Sequence, residues 1–262
     1  MKKLSVALLL FCLVACRQTI ITDTLQSATW IDLTHDYDST TVYWPTDEKF
    51  RHDTIFCGIN AKGYFYSSFR YSAEEHGGTH FDAPIHFLEG GQSIERVDIE
   101  RLHGPGVVVD VTRQSDENRD YQVAVSDLEK WENQNGKIPD GAIILLNTGF
   151  GKFWNDHLKY TGTLKSGLEG VRELHFPGLD PATAKWLVEN RKIVAVGLDT
   201  PSIDYGPSTD FQSHRILCAA GITIYENVAN LDKIPVKGAY IIALPMKIKG
   251  GSGAPLRIVA VF

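Results

Sequence analysis

Cysteine is scarce in this chain. Four stand in 262 residues, at 12, 16, 57 and 218, and none has the C-x-x-C spacing of a thiolate metal or redox site. Cys57 and Cys218 permit a disulfide without demanding one, and both read more simply as small buried apolar residues. Positive charge is also short: 26 Lys and Arg face 32 Asp and Glu, for a net charge of −6, which argues against a nucleic-acid partner. No glycine loop of the nucleotide-binding kind is present, and no internal repeat. With 43% hydrophobic and 22% charged residues, what remains is the composition of one sizeable globular domain.

The first sixteen residues differ from the rest. Lys2 and Lys3 precede an apolar run over residues 4–15, which ends in Leu13-Val14-Ala15-Cys16. The run is shorter than the ~20 residues a bilayer span needs, and it looks like a lipoprotein signal peptide with Cys16 as the acylated first residue. The expectation is export to a bacterial cell envelope with a lipid anchor. Losing Lys2 and Lys3 leaves 24 basic against 32 acidic residues, a net charge of −8. Residues 17–28 are polar and Thr-rich and read as a tether, which leaves 29–262 as the domain.

Residues 76–86 read HGGTHFDAPIH and hold three histidines and an aspartate at offsets 0, 4, 6 and 10. Pro84 and the Gly77-Gly78 pair oppose a helix, so the even offsets share one face of an extended backbone, and His80 and Asp82 point the same way. A straight strand would hold His76 roughly 13 Å from His80, too far to share an ion bound at ~2 Å per ligand. Gly77-Gly78 supplies the bend that folds His76 back. His86, beyond Pro84, faces the same cleft from the position of a general acid or base.

Elsewhere, apolar runs at 107–111, 142–146 and 193–198 read as buried strands, and 30–34, 64–72, 222–225, 239–244 and 256–262 as further strands. Ser126 and Glu129 form a capping box for a short helix that Gly136 closes, and Asp180-Pro181 starts another through 191. Residues 113–121 read as a surface loop, Glu74 and Glu75 as solvated, and His157 as a surface residue. On a helix over about 209–221, His214 shares a face with Leu217 and Cys218, so it points inward. Glu226 ends a buried strand and needs a partner such as an ion. Trp44 and Phe81 are candidate substrate contacts. Strand-loop-helix-strand segments recur through the second half, giving an α/β single domain with mixed β-sheets.

The pattern H-x-G-T-H-x-D-x-P-x-H, matched at every fixed position by residues 76–86, resembles the signature of the cyclase-like metal-dependent hydrolases, which include bacterial kynurenine formamidases and isatin hydrolases. That resemblance implies His76, His80 and Asp82 as metal ligands, His86 as the catalytic acid/base, and a second motif, a His followed twelve residues later by a Glu, met here by His214 and Glu226. It also implies a swivelling β/α fold and a homo-oligomer. Nitrogen and oxygen donors without thiolate suit Zn²⁺, as one ion or two, or Mn²⁺. The expected activity is metal-dependent hydrolysis of an amide in a small aromatic or cyclic substrate. Its rivals are an arylformamidase acting on N-formylkynurenine, a lactone hydrolase, and an anchored protein that captures metal or ligand without turnover.

Overall fold

The computed structural model describes residues 25–262, so the expected signal segment, Cys16 and most of the tether lie outside the described residues. Twelve strands follow: β1 (Trp30–Asp32), β2 (Arg51–Ile59), β3 (Phe65–Ser72), β4 (His80–Asp82), β5 (His103–Asp110), β6 (Gln122–Val123), β7 (Ile143–Asn147), β8 (Gly178–Leu179), β9 (Ala195–Leu198), β10 (Thr223–Glu226), β11 (Lys237–Pro245) and β12 (Gly253–Val261). The helices are α1 (Thr112–Glu117), α2 (Val125–Asn135), α3 (His157–Thr161), α4 (Gly167–Val171), α5 (Pro181–Asn190) and α6 (Gln212–Ala219).

The main sheet runs β12-β11-β5-β7-β9-β10-β4, and β4 pairs back onto β12, so seven strands close into a ring, with β1 on the free end of β12. Strands β5, β7, β9 and β10 are mutually parallel, as the continuous apolar runs require, because such strands are covered on both faces. Alternation then splits each run between two cores. Val107, Val109, Ile144, Leu146, Val196 and Leu198 face the helical side, where Leu128, Leu187 and Leu217 meet them. Val108, Ile143, Leu145 and Ala195 face inward, toward Ile241 and Ile258.

Local differences from the expected elements have local causes. Helix α2 begins two residues early: Ala124 is the cap, and Asp127 accepts from its backbone N–H at 2.9 Å, doing the work assigned to Ser126 and Glu129. An alanine cannot return the bond, so only half of a capping box exists. Residues read as a surface loop include α1, started by Asp110, whose carboxylate accepts from the Thr112 N–H and hydroxyl at 2.9 and 2.7 Å. Asp180 caps α5 as expected, accepting from Ala182 N–H at 2.7 Å. Cys218 is buried, but Cys57 is exposed on β2, and both are free thiols.

Candidate metal centre

The site is built on β4, whose three residues are fully flanked. On one edge His80 lies opposite Glu226 and Asp82 opposite Ile224, and on the other Asp82 lies opposite Gly253. This register sets Glu226 opposite His80 across 145 intervening residues of sequence. The bend before β4 is where the glycines are. Gly78 takes φ +60°, and a Cβ on Gly77 would sit 2.1 Å from Cε1 of Tyr43, so neither position accommodates a side chain. The turn returns His76 to Asp82, with Nδ1 2.7 Å from Oδ1. Its ring also lies over Gly253, where a Cβ would come within 2.4 Å of Cε1.

Hydrogen bonds fix which nitrogen each histidine presents. His80 donates from Nδ1 to the Gly78 carbonyl at 2.9 Å, leaving the Nε2 lone pair 3.2 Å from Asp82 Oδ1 and 3.3 Å from Glu226 Oε2. His214, on the inward face of α6, donates from Nδ1 to Asp204 at 2.7 Å and aims Nε2 at Glu226 Oε1 (3.1 Å) and Asp82 Oδ2 (3.4 Å). For His76 the order reverses. Glu75 accepts from the Ser252 hydroxyl at 2.8 Å, so that hydroxyl oxygen is left to accept from His76 Nε2–H at 2.8 Å. Nδ1 of His76 then carries the lone pair toward Asp82. Glu75 is therefore not a solvated bystander, for it also accepts from the backbone N–H groups of Ser252 and Gly253.

With these imidazoles neutral, lone pairs and carboxylate oxygens converge with no proton donor among them. His80 Nε2 and Asp82 Oδ2 are buried without a hydrogen-bond partner, a costly arrangement unless a cation joins them. His76, His80 and Asp82 each offer a donor atom within 4.8 Å of the others, and so do Asp82, His86 and His214. Electrostatics carry the same message. Burial disfavours a charged His80, yet Asp82 and then Glu226 outweigh it and push its pKa up to about 10; burial of His214 is likewise outweighed, by Asp204 first and then Asp82 and Glu226, so the positive charge the carboxylates call for comes from protons on these imidazoles or from a cation that replaces them. Asp82 and Glu226 are both held low by these imidazoles in spite of burial. Two carboxylates in a dry pocket demand positive charge, and an N/O donor set of this kind suits a divalent ion.

His86 behaves otherwise. Burial, with His76 and His214 beside it, lowers its pKa to about 4 against the pull of Asp82, so it is neutral at pH 7. Its ring stacks on His76 at 3.7 Å.

Above these groups lies a cavity of about 360 Å³, in the range of small-molecule pockets, with Trp44, Phe87 and Phe211 among its walls. Trp44 meets Phe211 edge-on at 6.0 Å, and Phe87 lies 5.6 Å from Phe211. Phe211 is held at φ +49°, an unusual backbone for an aromatic residue, which turns it to the cavity just before α6. Six of the expected residues therefore meet: His76, His80, Asp82, His86, His214 and Glu226, with Trp44 on the wall. Phe81 does not. Strand alternation sends its side chain away from His80 and Asp82 into the core, 5.4 Å from Tyr225, where it is 0% exposed. Sequence reading missed Asp204, Glu75, Ser252, Phe87 and Phe211, none of which has a spacing that marks it.

A closed α/β ring carrying this donor set at the floor of an aromatic cavity places the chain among metal-dependent hydrolases. The Cyclase family model matches residues 31–205. Isatin hydrolase of Roseibium aggregatum is 31% identical over 194 residues, covering 71% of each chain. Kynurenine formamidase of Bacillus mycoides is 27% identical over 239 residues, 90% of this chain and 98% of the relative. The structure of isatin hydrolase A from Labrenzia aggregata, bound to benzyl benzoate, superposes with a TM-score of 0.82 at 30% identity, over 94% of this chain and 98% of that one. The chain belongs to the cyclase family.

Proposed function

We propose that this chain hydrolyses an amide bond in a small aromatic or cyclic substrate, with a divalent ion held by His76, His80, Asp82, His214 and Glu226. The observation that carries the reading is the pair of orphaned, buried donor atoms, His80 Nε2 and Asp82 Oδ2, at the floor of the cavity. An ion bound there, one or two Zn²⁺ or Mn²⁺, supplies Lewis acidity that polarises a carbonyl and makes water nucleophilic near neutral pH. Trp44, Phe87 and Phe211 hold the aromatic part of the substrate by stacking and edge contacts. His86, neutral at pH 7, takes a proton from the attacking water as the new C–O bond forms. It returns that proton to the departing nitrogen as the C–N bond breaks, leaving a carboxylate and an amine. Asp204 and the Glu75–Ser252 pair keep the imidazoles of His214 and His76 in the tautomers that face the centre.

Ring-opening of isatin and deformylation of N-formylkynurenine are the first substrates to test, since the relatives carry those names. The metal-loaded protein should turn over at least one such aromatic amide, followed by absorbance, and elemental analysis should find Zn or Mn. A folded wild type that is active without metal, or that binds metal and hydrolyses neither amides nor lactones, overturns the reading; the second result favours capture without turnover. Export with acylation at Cys16 belongs to the same proposal, motivated by the Leu13-Val14-Ala15-Cys16 ending. Cys16→Ser should abolish incorporation of radioactive fatty acid and partition to membranes, and equal labelling of the two proteins sinks it.

A further inference from the structure

Two hollows meet at one short wall. The cavity over the centre, about 360 Å³, and a second cleft of about 440 Å³ share Tyr43, Trp44 and Asp47 and no other lining residue. Tyr43 cannot yield: it is 5% exposed, its backbone bridges to Gly77, and its ring fills the space that a Cβ on Gly77 would need. Asp47 closes a turn by donating its N–H to the Trp44 carbonyl at 3.0 Å. The backbone around this turn is pinned from both sides, since Gly78 N–H donates to the Val42 carbonyl at 2.9 Å and Gly167 N–H to the Pro45 carbonyl at 2.7 Å. What separates the hollows above that fixed backbone is the half-buried indole of Trp44, edge-on to Phe211 at 6.0 Å.

Beyond the indole the second cleft is apolar. Leu164 and Leu168 line it, 69% and 68% exposed. Lys165 lies between them in sequence, but its ammonium is neutralised by Glu169 and Glu173, each 2.6 Å away. His157, on α3, has its pKa lowered by burial and then by the Lys49 charge, so it presents a neutral ring to the cleft at pH 7.

We propose that Trp44 is the specificity-determining residue of the site: its indole closes the catalytic cavity against the second cleft and restricts the substrate to compact aryl amides, with one ring or two fused rings. The proposal rests on the hydrolytic reading above and adds a size class to it. The cavity stands near the lower end of the range for small-molecule pockets, roughly 300–1,000 Å³, and joining it to the cleft more than doubles its space. Deleting the indole opens the passage and also removes an aromatic face from the cavity. Compact and extended ligands should therefore respond with opposite signs, whereas a tryptophan that serves only packing would weaken both alike.

The full chain loaded with Zn²⁺ is assayed on formanilide and on its 3-phenyl and 4-phenyl derivatives. Benzohydroxamate and its two phenyl derivatives, which chelate a divalent ion without being hydrolysed, report binding alone. Wild type should prefer the compact member of each series by about 10- to 200-fold. Trp44→Ala should lose on the compact members, gain on at least one extended member, and narrow the ratio by at least about tenfold. Adding Leu168→Trp to Trp44→Ala refills the cleft and should restore the compact preference. Should Trp44→Ala fail to fold, Trp44→Leu should shift the ratio in the same direction by a smaller factor. A wild type indifferent to the extra ring overturns the proposal, and so does a folded Trp44 variant that weakens both classes equally. Hydroxamates that show the size preference on a protein that cleaves no anilide overturn the hydrolytic reading and leave the partition standing. A zinc-loaded wild type that binds no hydroxamate overturns both.

Discussion

Strand β4 and the β2–β3 hairpin are separated by seven residues and live in opposite environments. All three residues of β4 are buried, and the strand is paired on both edges; nearly every residue of the hairpin is exposed, and each strand is paired on one edge. The contrast shows how one short stretch can hold an electrostatically expensive centre. His80, Asp82 and Glu226 cannot relax away from one another because the strands that carry them are fixed by register, so the cost of their burial is left for a cation to offset. The hairpin bears no such constraint, and its large apolar side chains lie exposed.

If that contrast is real, damage in β4 should abolish the centre while damage in the hairpin leaves it intact. Asp82→Ala has the largest expected effect: with the carboxylate gone, metal content falls to background by elemental analysis and turnover goes with it, whereas the Phe65→Asp/Phe69→Asp protein keeps wild-type metal. Metal retained in Asp82→Ala would break the comparison. His86→Ala should keep its metal and fold while kcat falls about 10²- to 10⁴-fold and KM moves little, since proton transfer matters in the transition state. Metal lost together with activity would instead make His86 a ligand, a role its distance from Asp82 and His214 allows. Smaller again is Asp204→Asn, which keeps an acceptor for His214 Nδ1–H but removes the charge; metal affinity, read by competition with a chelator, should drop about 10- to 100-fold.

Far from the centre, Glu132 on α2 accepts from Arg191 Nε at 2.7 Å at the end of α5 and makes a second bond to the same guanidinium. Glu132→Gln should leave turnover unchanged and lower stability by about 1–3 kcal/mol at pH 7 in urea unfolding. The Arg191 hydrogen bond holds the Glu132 carboxyl below the ordinary carboxylate range, so its contribution is complete above that range and is lost as pH falls through the folded value. Wild type and variant should therefore converge in acid. A constant difference across pH would assign the effect to packing.

The site was legible in the sequence where it is local and faint where it is not. His76, His80, Asp82 and His86 fall within eleven residues, and a strand period with a glycine bend is enough to bring them together. His214 and Glu226 needed a family resemblance, since nothing in their own neighbourhoods announces β10 beside β4. Asp204, Glu75 and Ser252 were illegible because any carboxylate or hydroxyl can accept a hydrogen bond, and only the folded chain shows which ones meet an imidazole. Phe81 was misread because residues between two ligands on a strand point the other way. The parallel strands announced themselves by apolar runs, but β2, with Arg51, His52 and Asp53 at its start, has no such run, and the hairpin became visible only when its partner β3 was seen to cover nothing else.

The ring has one further property, which concerns time. His76 meets Ser252 across 176 residues, and β4 gains its second edge only from β12, the last strand of the chain. A nascent or truncated chain that stops before Gly253 holds every metal-ligand candidate in its sequence and yet lacks the neighbour that locks β4 and the hydroxyl that orients His76. Non-local closures of this kind come late and slowly in folding. The centre therefore leans on a contact from far along the sequence, and a chain cut before Gly253 should hold an ion more weakly than the whole one.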